Sequence, residues 1–335
     1  MMTRSAARRV QETKSLCTPI IPTRHVPDLV EDARTGLLLP PRRLPPKYFY
    51  DATGSALFER ICATPEYYPT RTEDALLQRH AADIIAATRP EQILELGSGS
   101  SRKTRRLFDA CAALGHRCRY TPMDVCAAAL EQAAAALAAD YDWLEIAPLL
   151  GDYHAGLGNL PAAAGSSLFV FLGSTIGNFE AQDAEVFLRE IRACMQPGDW
   201  LLLGADRVKD SALLQAAYND ADGVTAQFNL NLLQVLNREL RADFDSRRFA
   251  HRAIWNEGES RVEMYLQSLC DQVVRLGALQ CSVSLRRDER ILTELSHKYT
   301  PASLQRLLQA GGLQPLHHYQ PDNRWFSLLL ARRGD

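Results

Sequence analysis

The sequence predicts a doubly wound α/β domain joined to a second, α+β domain. Three observations predict it. Between about residues 75 and 206, short apolar strands alternate with helical segments. A glycine turn, "LELGSGSSRKT" at 94–104, joins the first of these strands to its helix. After 207 the alternation stops, and a polar helical stretch gives way to consecutive strand-like segments up to 298.

Taken in order, "QILEL" reads as a buried strand and "RKTRRLFDACAAL" as a helix. "RYTPMDV" is a strand, "AAALEQAAAALAADY" an alanine-rich helix, and "WLEIAPLLGDY" contains a third strand. "SSLFVFLGS" is a fourth strand, apolar on both faces. "DAEVFLREIRACM" is a helix closed by Pro197-Gly198, and "DWLLLGAD" is a fifth strand. Continuous apolar strands between helices indicate a parallel sheet covered on both faces, with right-handed crossovers. "SALLQAAYNDADGVTAQFNLNLLQVLNREL" is helical with a break at Gly223. "RFAHRAIW", "SRVEMYLQSL", "GALQCSVSL" and "ERILTELSHKY" follow as strands of an antiparallel sheet, with "NEG" at 256–258 as a hairpin turn. The end reads as helix, Gly-Gly stop and two strands, with His317 and His318 on the surface of their hairpin. The expected division is a loose tail over 1–20, a second domain from 21–72 and 208–298, and the parallel domain from 73–207 and 299–335.

The 335-residue chain has a net charge of −2, 46% apolar and 23% charged residues. No global field draws it to nucleic acid, and no apolar run approaches the ~20 residues of a membrane span. Its 8 cysteines form no C-x-x-C pair and do not cluster with histidines, so no metal is expected. Scattered thiols without an apolar leader suit a reducing cytoplasm. The basic start, "MMTRSAARRVQETKSLC", lacks the apolar stretch of a secretory signal and reads as an unpacked tail. Oligomeric state is not written in the sequence; a monomer is the working expectation.

A glycine turn between a parallel strand and a helix lets a ligand approach the backbone, and the helix start offers unpaired N–H groups. G-S-G-S-S-R lacks the third glycine of a dinucleotide fingerprint, which disfavours a pyrophosphate and a nicotinamide oxidoreductase. Glu95, just before Gly97, Ser98 and Gly99, suits a ligand with an amine or hydroxyls rather than a phosphate. Asp124 ends the second strand, where a ribose-binding acid is expected. Asp152 ends the third and is placed to accept from an adenine amine, with Tyr153 beside the ring. Each acid alone is commonly a cap or turn residue. Three at the carboxyl ends of successive strands favour a nucleoside site, and S-adenosylmethionine fits it without a phosphate.

The chain resembles the histidine-specific S-adenosylmethionine-dependent methyltransferases, the histidine Nα-methyltransferases of ergothioneine biosynthesis. The resemblance runs from about Pro46 to the C-terminus. It is carried by "KYFYDATGSALFERICATPEYYPTRTE", "ELGSGSSRKT", "FLGSTIGNF", "LLGADRVKD", "AAYNDADGVTAQFN" and "ILTELSHKY". The glycine turn is common to many methyltransferases; "EYYPTRTE", "GSTIGNF" and "TELSHKY" together are specific. The resemblance implies a Rossmann-type class I methyltransferase domain and a second, substrate-binding domain of N-terminal and inserted segments. It adds Tyr50 and Lys103 to the cofactor residues.

On the substrate side, the resemblance places Asn178 near the substrate amine and lets Gly173 admit the substrate closely. Without it, Asn178 reads equally as a turn residue. Tyr68 enters the pocket by resemblance; otherwise Tyr67 and Tyr68 are aromatics packing a domain junction. Tyr218, with Thr225 nearby, is assigned to the substrate carboxylate, against the alternative of a half-buried helix tyrosine. Glu294 and Ser296 stand two apart on a strand and so share a face. They are either a solvated stripe or, by resemblance, the imidazole acceptor and an amino-acid contact, with Met264 against the ring. A buried carboxylate rejects substrates lacking a matching N–H, since it would be left unpaired.

The implied reaction moves up to three methyl groups to the α-amine of L-histidine, giving N,N,N-trimethylhistidine. It requires an unprotonated amine in line with the methyl carbon, about 3 Å away, with Tyr68 and Asn178 positioning it. Two other readings stand beside it: a methyltransferase for another small amine, and a non-catalytic S-adenosylmethionine-binding protein.

Overall fold

The computed structural model describes residues 17–163 and 165–334. The tail expected over 1–20 lies mostly outside the described residues, and its last part is corrected. Cys17 is buried, and Thr18–Pro19 (β1) pairs in parallel with a strand of the large sheet. Thr23 and Arg24 stay on that domain, donating to the carbonyls of Ala155 and His154. Leu29–Gly36 (α1) starts under a capping box: Asp28 accepts from the Glu31 N–H, and Glu31 accepts from the Asp28 N–H. This helix begins the second core, so that core starts nearer 29 than 21.

Arg42–Arg43 (β2) and Ala52–Ala63 (α2) follow. Tyr68–Thr88 (α3) is one helix of 21 residues with Pro69 in its first turn, where a missing N–H breaks no helical bond. The domain boundary expected after 72 therefore falls inside a continuous helix. Tyr67 and Tyr68 belong to the second core, while Leu76, Leu77, Ile84 and Ile85 belong to the first.

Gln92–Leu96 (β3), Arg105–Ala113 (α4), Arg119–Asp124 (β4) and Ala127–Asp140 (α5) come next. The third strand is broken into Glu145–Ile146 (β5) and Leu149–Leu150 (β6). The interruption holds Pro148, which cannot donate to a ladder. Ser167–Phe171 (β7), Ala181–Cys194 (α6) and Trp200–Asp206 (β8) complete the parallel set. Ser211–Ala217 (α7) and Val224–Leu240 (α8) are separated at Gly223, where φ is +68°. Phe249–Asn256 (β9) and Arg261–Ser268 (β10) form the expected hairpin. Gln272–Leu276 (β11) and Cys281–Leu285 (β12) form another. "GALQCSVSL" is therefore not one strand: Gly277–Leu279 is a 3-10 turn, and its partner strand comes from "QVVRL". Arg290–His297 (β13), Pro301–Ala310 (α9), Leu313–Tyr319 (β14) and Phe326–Arg333 (β15) finish the chain.

The large sheet runs β1-β6-β4-β3-β7-β8-β15-β14, with β5 also on β4. β3, β4, β7 and β8 are parallel; β15 and β14 are antiparallel additions. Leu94, Leu96, Phe169 and Phe171 enter the core on one face, and Ile93, Leu168, Val170 and Leu172 the core on the other. That two-residue period with both faces buried is why these strands read as unbroken apolar runs. The order reverses between β3 and β7, and the crevice beyond such a switch point is where ligands sit. The glycine turn after β3 and the segment after β7 both open there.

The second unit is a four-stranded sheet, β2-β13-β10-β9, sharing a core with α1, α2, α7 and α8. Phe49, Phe228, Leu232, Leu266 and Ile291 lie at its centre. The chain passes between the two cores at Tyr68, after Asp206 and after Lys298. The latter two crossings are stitched together: Tyr299 N–H donates to the Asp206 carbonyl at 3.0 Å and Val208 N–H to the Tyr299 carbonyl at 3.1 Å. Among the described residues no helix is long and apolar enough to cross a membrane.

Candidate active site

The glycine turn follows β3 at the switch point of the large sheet. Gly97 and Gly99 have φ of +70° and +51°, conformations that cost glycine nothing. The N–H groups of Gly97 and Ser98 hold the turn to β4 through the Met123 carbonyl, at 2.8 and 3.1 Å. Asp124 accepts from Gly99 N–H at 2.9 Å on one oxygen and from Cys126 N–H at 3.0 Å on the other. Each oxygen keeps lone-pair capacity for a further donor. Asp152 accepts from the His154 N–H and pairs with its ring Nδ1, both at 2.8 Å, through Oδ1 alone. Its Oδ2 stays open. Burial resists the charge on Asp152, but His154 holds its carboxyl below the usual range. Tyr153 packs among Phe171, Phe179 and Phe187 and reaches 3.4 Å from where a Cβ on Gly97 would lie. Ser98 Oγ is buried with no hydrogen-bond partner among the described residues.

Glu95 lies beneath the turn. Its Oε2 accepts from Thr104 at 2.7 Å and from the Tyr120 hydroxyl, leaving Oε1 as the open acceptor. Burial raises its carboxyl to about 7, against the pull of those two donors. Lys103 is paired with Glu73, a fully buried carboxylate whose oxygens also accept from Gly173 N–H at 2.9 Å. Glu73 thus joins α3, the glycine turn and the end of β7.

The far wall comes from the second domain. The 3-10 turn Thr175–Asn178 packs on β13 so closely that a Cβ on Gly177 would lie 2.7 Å from the His297 carbonyl oxygen. Asn178 is half-buried, and its amide has no partner in the described protein. Met264 stands opposite Glu294 across the β10–β13 ladder, so the two share a face. Glu294 makes no hydrogen bond among the described residues and keeps some accessible surface. Burial nevertheless raises its carboxyl to about 7, with Lys298 opposing. Both facts describe a group lining an enclosed crevice. Tyr50, Tyr67 and Tyr218 feel its charge: burial pushes each hydroxyl up and Glu294 adds to it, while at Tyr218 the Lys298 ammonium opposes. Tyr50 also feels Asp124, so one tyrosine connects the acid at the glycine turn with the acid on β13.

Tyr218 and Ser296 hydroxyls bond at 2.7 Å. Thr225 Oγ1 is buried without a partner and shares no bond with Tyr218; its N–H is held by Asp220 at 2.7 Å. Tyr68 donates to Asp206 at 2.7 Å, and Lys209 donates to the Tyr68 oxygen at 2.6 Å. Beside the predicted residues stand four that sequence reasoning missed: Glu73, Asp206, Lys209 and Lys298. Asp206 sits at the centre of an ion cluster. Lys298 lies 2.9 Å from Oδ2 and Lys209 2.5 Å from Oδ1, with all three side chains almost wholly buried. Burial resists the charge on Asp206, yet the two lysines hold its carboxyl below the ordinary range. Burial lowers Lys209 to about 8 despite Asp206.

A family model described as "Histidine-specific methyltransferase, SAM-dependent" matches residues 29–333. The histidine N-alpha-methyltransferase of Mycolicibacterium smegmatis is 47% identical over 305 residues, 91% of this chain and 95% of that protein. The protein of the same name from Mycobacterium tuberculosis is 45% identical with the same coverage. Ergothioneine biosynthesis protein 1 of Neurospora crassa is 32% identical over 87% of this chain, which spans 33% of that longer protein. With the glycine turn, the sheet order and this match over nearly its whole length, the chain belongs to the histidine-specific, S-adenosylmethionine-dependent methyltransferase family.

Proposed function

We propose that the chain transfers methyl groups from S-adenosylmethionine to the α-amine of L-histidine, up to three times, giving N,N,N-trimethylhistidine (hercynine) for ergothioneine biosynthesis. One observation carries the substrate side: Glu294 is an enclosed carboxylate with no hydrogen-bond partner among the described residues. Such a group calls for an N–H donor from the ligand, and an imidazole supplies one. The turn at Gly97–Gly99, the open oxygens of Asp124 and Asp152, and the orphaned Ser98 hydroxyl fit the cofactor's hydroxyls and amines.

S-adenosylmethionine supplies an electrophilic methyl on a cationic sulfur. The chain's own residues present the amine to it. Asn178 offers a carbonyl acceptor. Tyr68 gives its proton to Asp206, so its oxygen is an acceptor for an amine N–H. Dry surroundings favour the neutral amine, because burial disfavours the charged form. The aromatic wall favours a methylated cation that stays for the next round. No disulfide joins the cysteines among the described residues, which fits action in a reducing cytoplasm.

Mass spectrometry of the protein incubated with histidine and S-adenosylmethionine is expected to show additions of one, two and three methyl groups. Absence of turnover to S-adenosylhomocysteine would contradict catalysis. Faster methylation of another amino acid would move the assignment to that substrate. Asp124→Ala is expected to weaken S-adenosylmethionine binding about tenfold or more, by calorimetry, since it removes acceptors for two hydroxyls. Unchanged affinity would take Asp124 out of the site.

A further inference from the structure

The Lys298 ammonium is completely buried at the meeting point of the two domains. It has three protons, and all three are placed. One goes to Asp206 Oδ2 at 2.9 Å, one to the Tyr218 hydroxyl oxygen at 2.8 Å and one to Ser296 Oγ at 2.9 Å. Tyr218 and Ser296 are also bonded to each other at 2.7 Å. An ammonium only donates, so both hydroxyl oxygens act as acceptors towards Lys298. Two hydroxyl protons then remain, and the Tyr218–Ser296 bond uses one of them. The other has no acceptor among the described residues. It is a donor held beside a buried positive charge, at the edge of the crevice that contains Glu294.

We propose that Lys298 is a positioning residue for the carboxylate of the amino-acid substrate: it forces the Tyr218–Ser296 pair to present its remaining hydroxyl proton outward, and its charge makes that spot select an anionic group. Asp206 neutralises Lys298 in part and fixes its direction. It also holds Tyr68, so one carboxylate sets both the amine side and the carboxylate side of the substrate. Burial opposes the charge on Lys298, but Asp206 overcomes this and keeps the ammonium protonated beyond its ordinary range. A purely structural Lys298–Asp206 ion pair would leave the pair of hydroxyls without a preferred ligand.

This inference rests on the amino-acid methyltransferase reading. Its test compares histidine with histamine, which has the imidazole and amine but no carboxylate. Calorimetry on the protein loaded with S-adenosylhomocysteine gives the Kd of each for wild type and for Lys298→Gln. The expected result is a histidine Kd raised about tenfold or more with the histamine Kd changed less than about threefold. Binding of S-adenosylhomocysteine itself should hold. Where the single change unfolds the protein, Lys298→Met combined with Asp206→Asn removes both charges together, and the ratio of the histidine to the histamine Kd is read, since Asp206 also holds Tyr68 on the amine side that both ligands share. Histidine and histamine weakened by the same factor, or histidine unaffected, overturns the inference. Wild-type protein that binds neither overturns the functional reading itself.

Discussion

Glu294→Ala is expected to lower kcat/KM for histidine by about 10²-fold or more while leaving S-adenosylmethionine affinity nearly unchanged. The carboxylate has no hydrogen-bond partner among the described residues, so its removal costs them no hydrogen bond. The loss falls on the ligand, which then buries an imidazole N–H without an acceptor. Equal losses in histidine use and cofactor affinity would make Glu294 a structural residue. A companion variant reads the same environment through stability. The folded-state carboxyl is raised to about 7 from an ordinary value of 4.5. Below 4.5 it is protonated whether folded or unfolded and has no effect. Between 4.5 and about 7 the folded state binds the extra proton, so stability falls as pH rises through that window, and the loss is complete above it. Glu95 acts in the same direction over the same range. Glu294→Gln removes its share and is expected to stabilise the ligand-free protein by about 1–3 kcal/mol at pH ~8 and by almost nothing near pH ~4.5. Calorimetric Tm values at the two pH values check this; no gain at the higher pH contradicts it.

Asp206→Ala is expected to destabilise the protein by about 3–5 kcal/mol, because it leaves buried lysines without their counter-charge. Lys298 and Lys209 would face each other in the interior, and Tyr68 would lose its acceptor. Urea unfolding should show the loss at neutral pH, where the carboxylate is ionised. Since Asp206 is held below its ordinary range, its contribution fades only as the pH falls through that lowered value. Removing Lys298 as well, in Asp206→Ala/Lys298→Met, is expected to recover part of the stability. A single variant as stable as wild type would show that the cluster does not hold the domains together.

Much of the fold was legible because the large sheet is buried on both faces. "SSLFVFLGS" sends Leu168 and Val170 to one core and Phe169 and Phe171 to the other, so neither parity is polar. The tail was misread because Thr18–Pro19 makes only a two-residue strand, too short for any period. The helix across residue 72 was divided in error because its first turn faces one core and its remainder the other, a change of surroundings without a break in backbone. β11 was missed since "QVVRL" alternates over only five residues.

The site was legible where strand ends announce it. Asp124 and Asp152 were found as acids closing parallel strands, and Asp206 closes β8 in the same way; the same rule would have named it. The alternation that picked Glu294 and Ser296 also continues one step to Lys298, whose bond to Ser296 shows that they share a side. Glu73 carries no such mark. It lies in the middle of a helix, and only the folded chain brings it to Gly173 and Lys103.

In the proposed reaction Glu294 takes an imidazole N–H, with the cofactor held at the Asp124 turn. A crystal structure with histidine and S-adenosylhomocysteine bound tests it most directly. A Glu294 oxygen about 3 Å from an imidazole nitrogen is expected, with the substrate carboxylate at Tyr218 and Ser296. An imidazole bound elsewhere, with Glu294 turned to solvent, would contradict it.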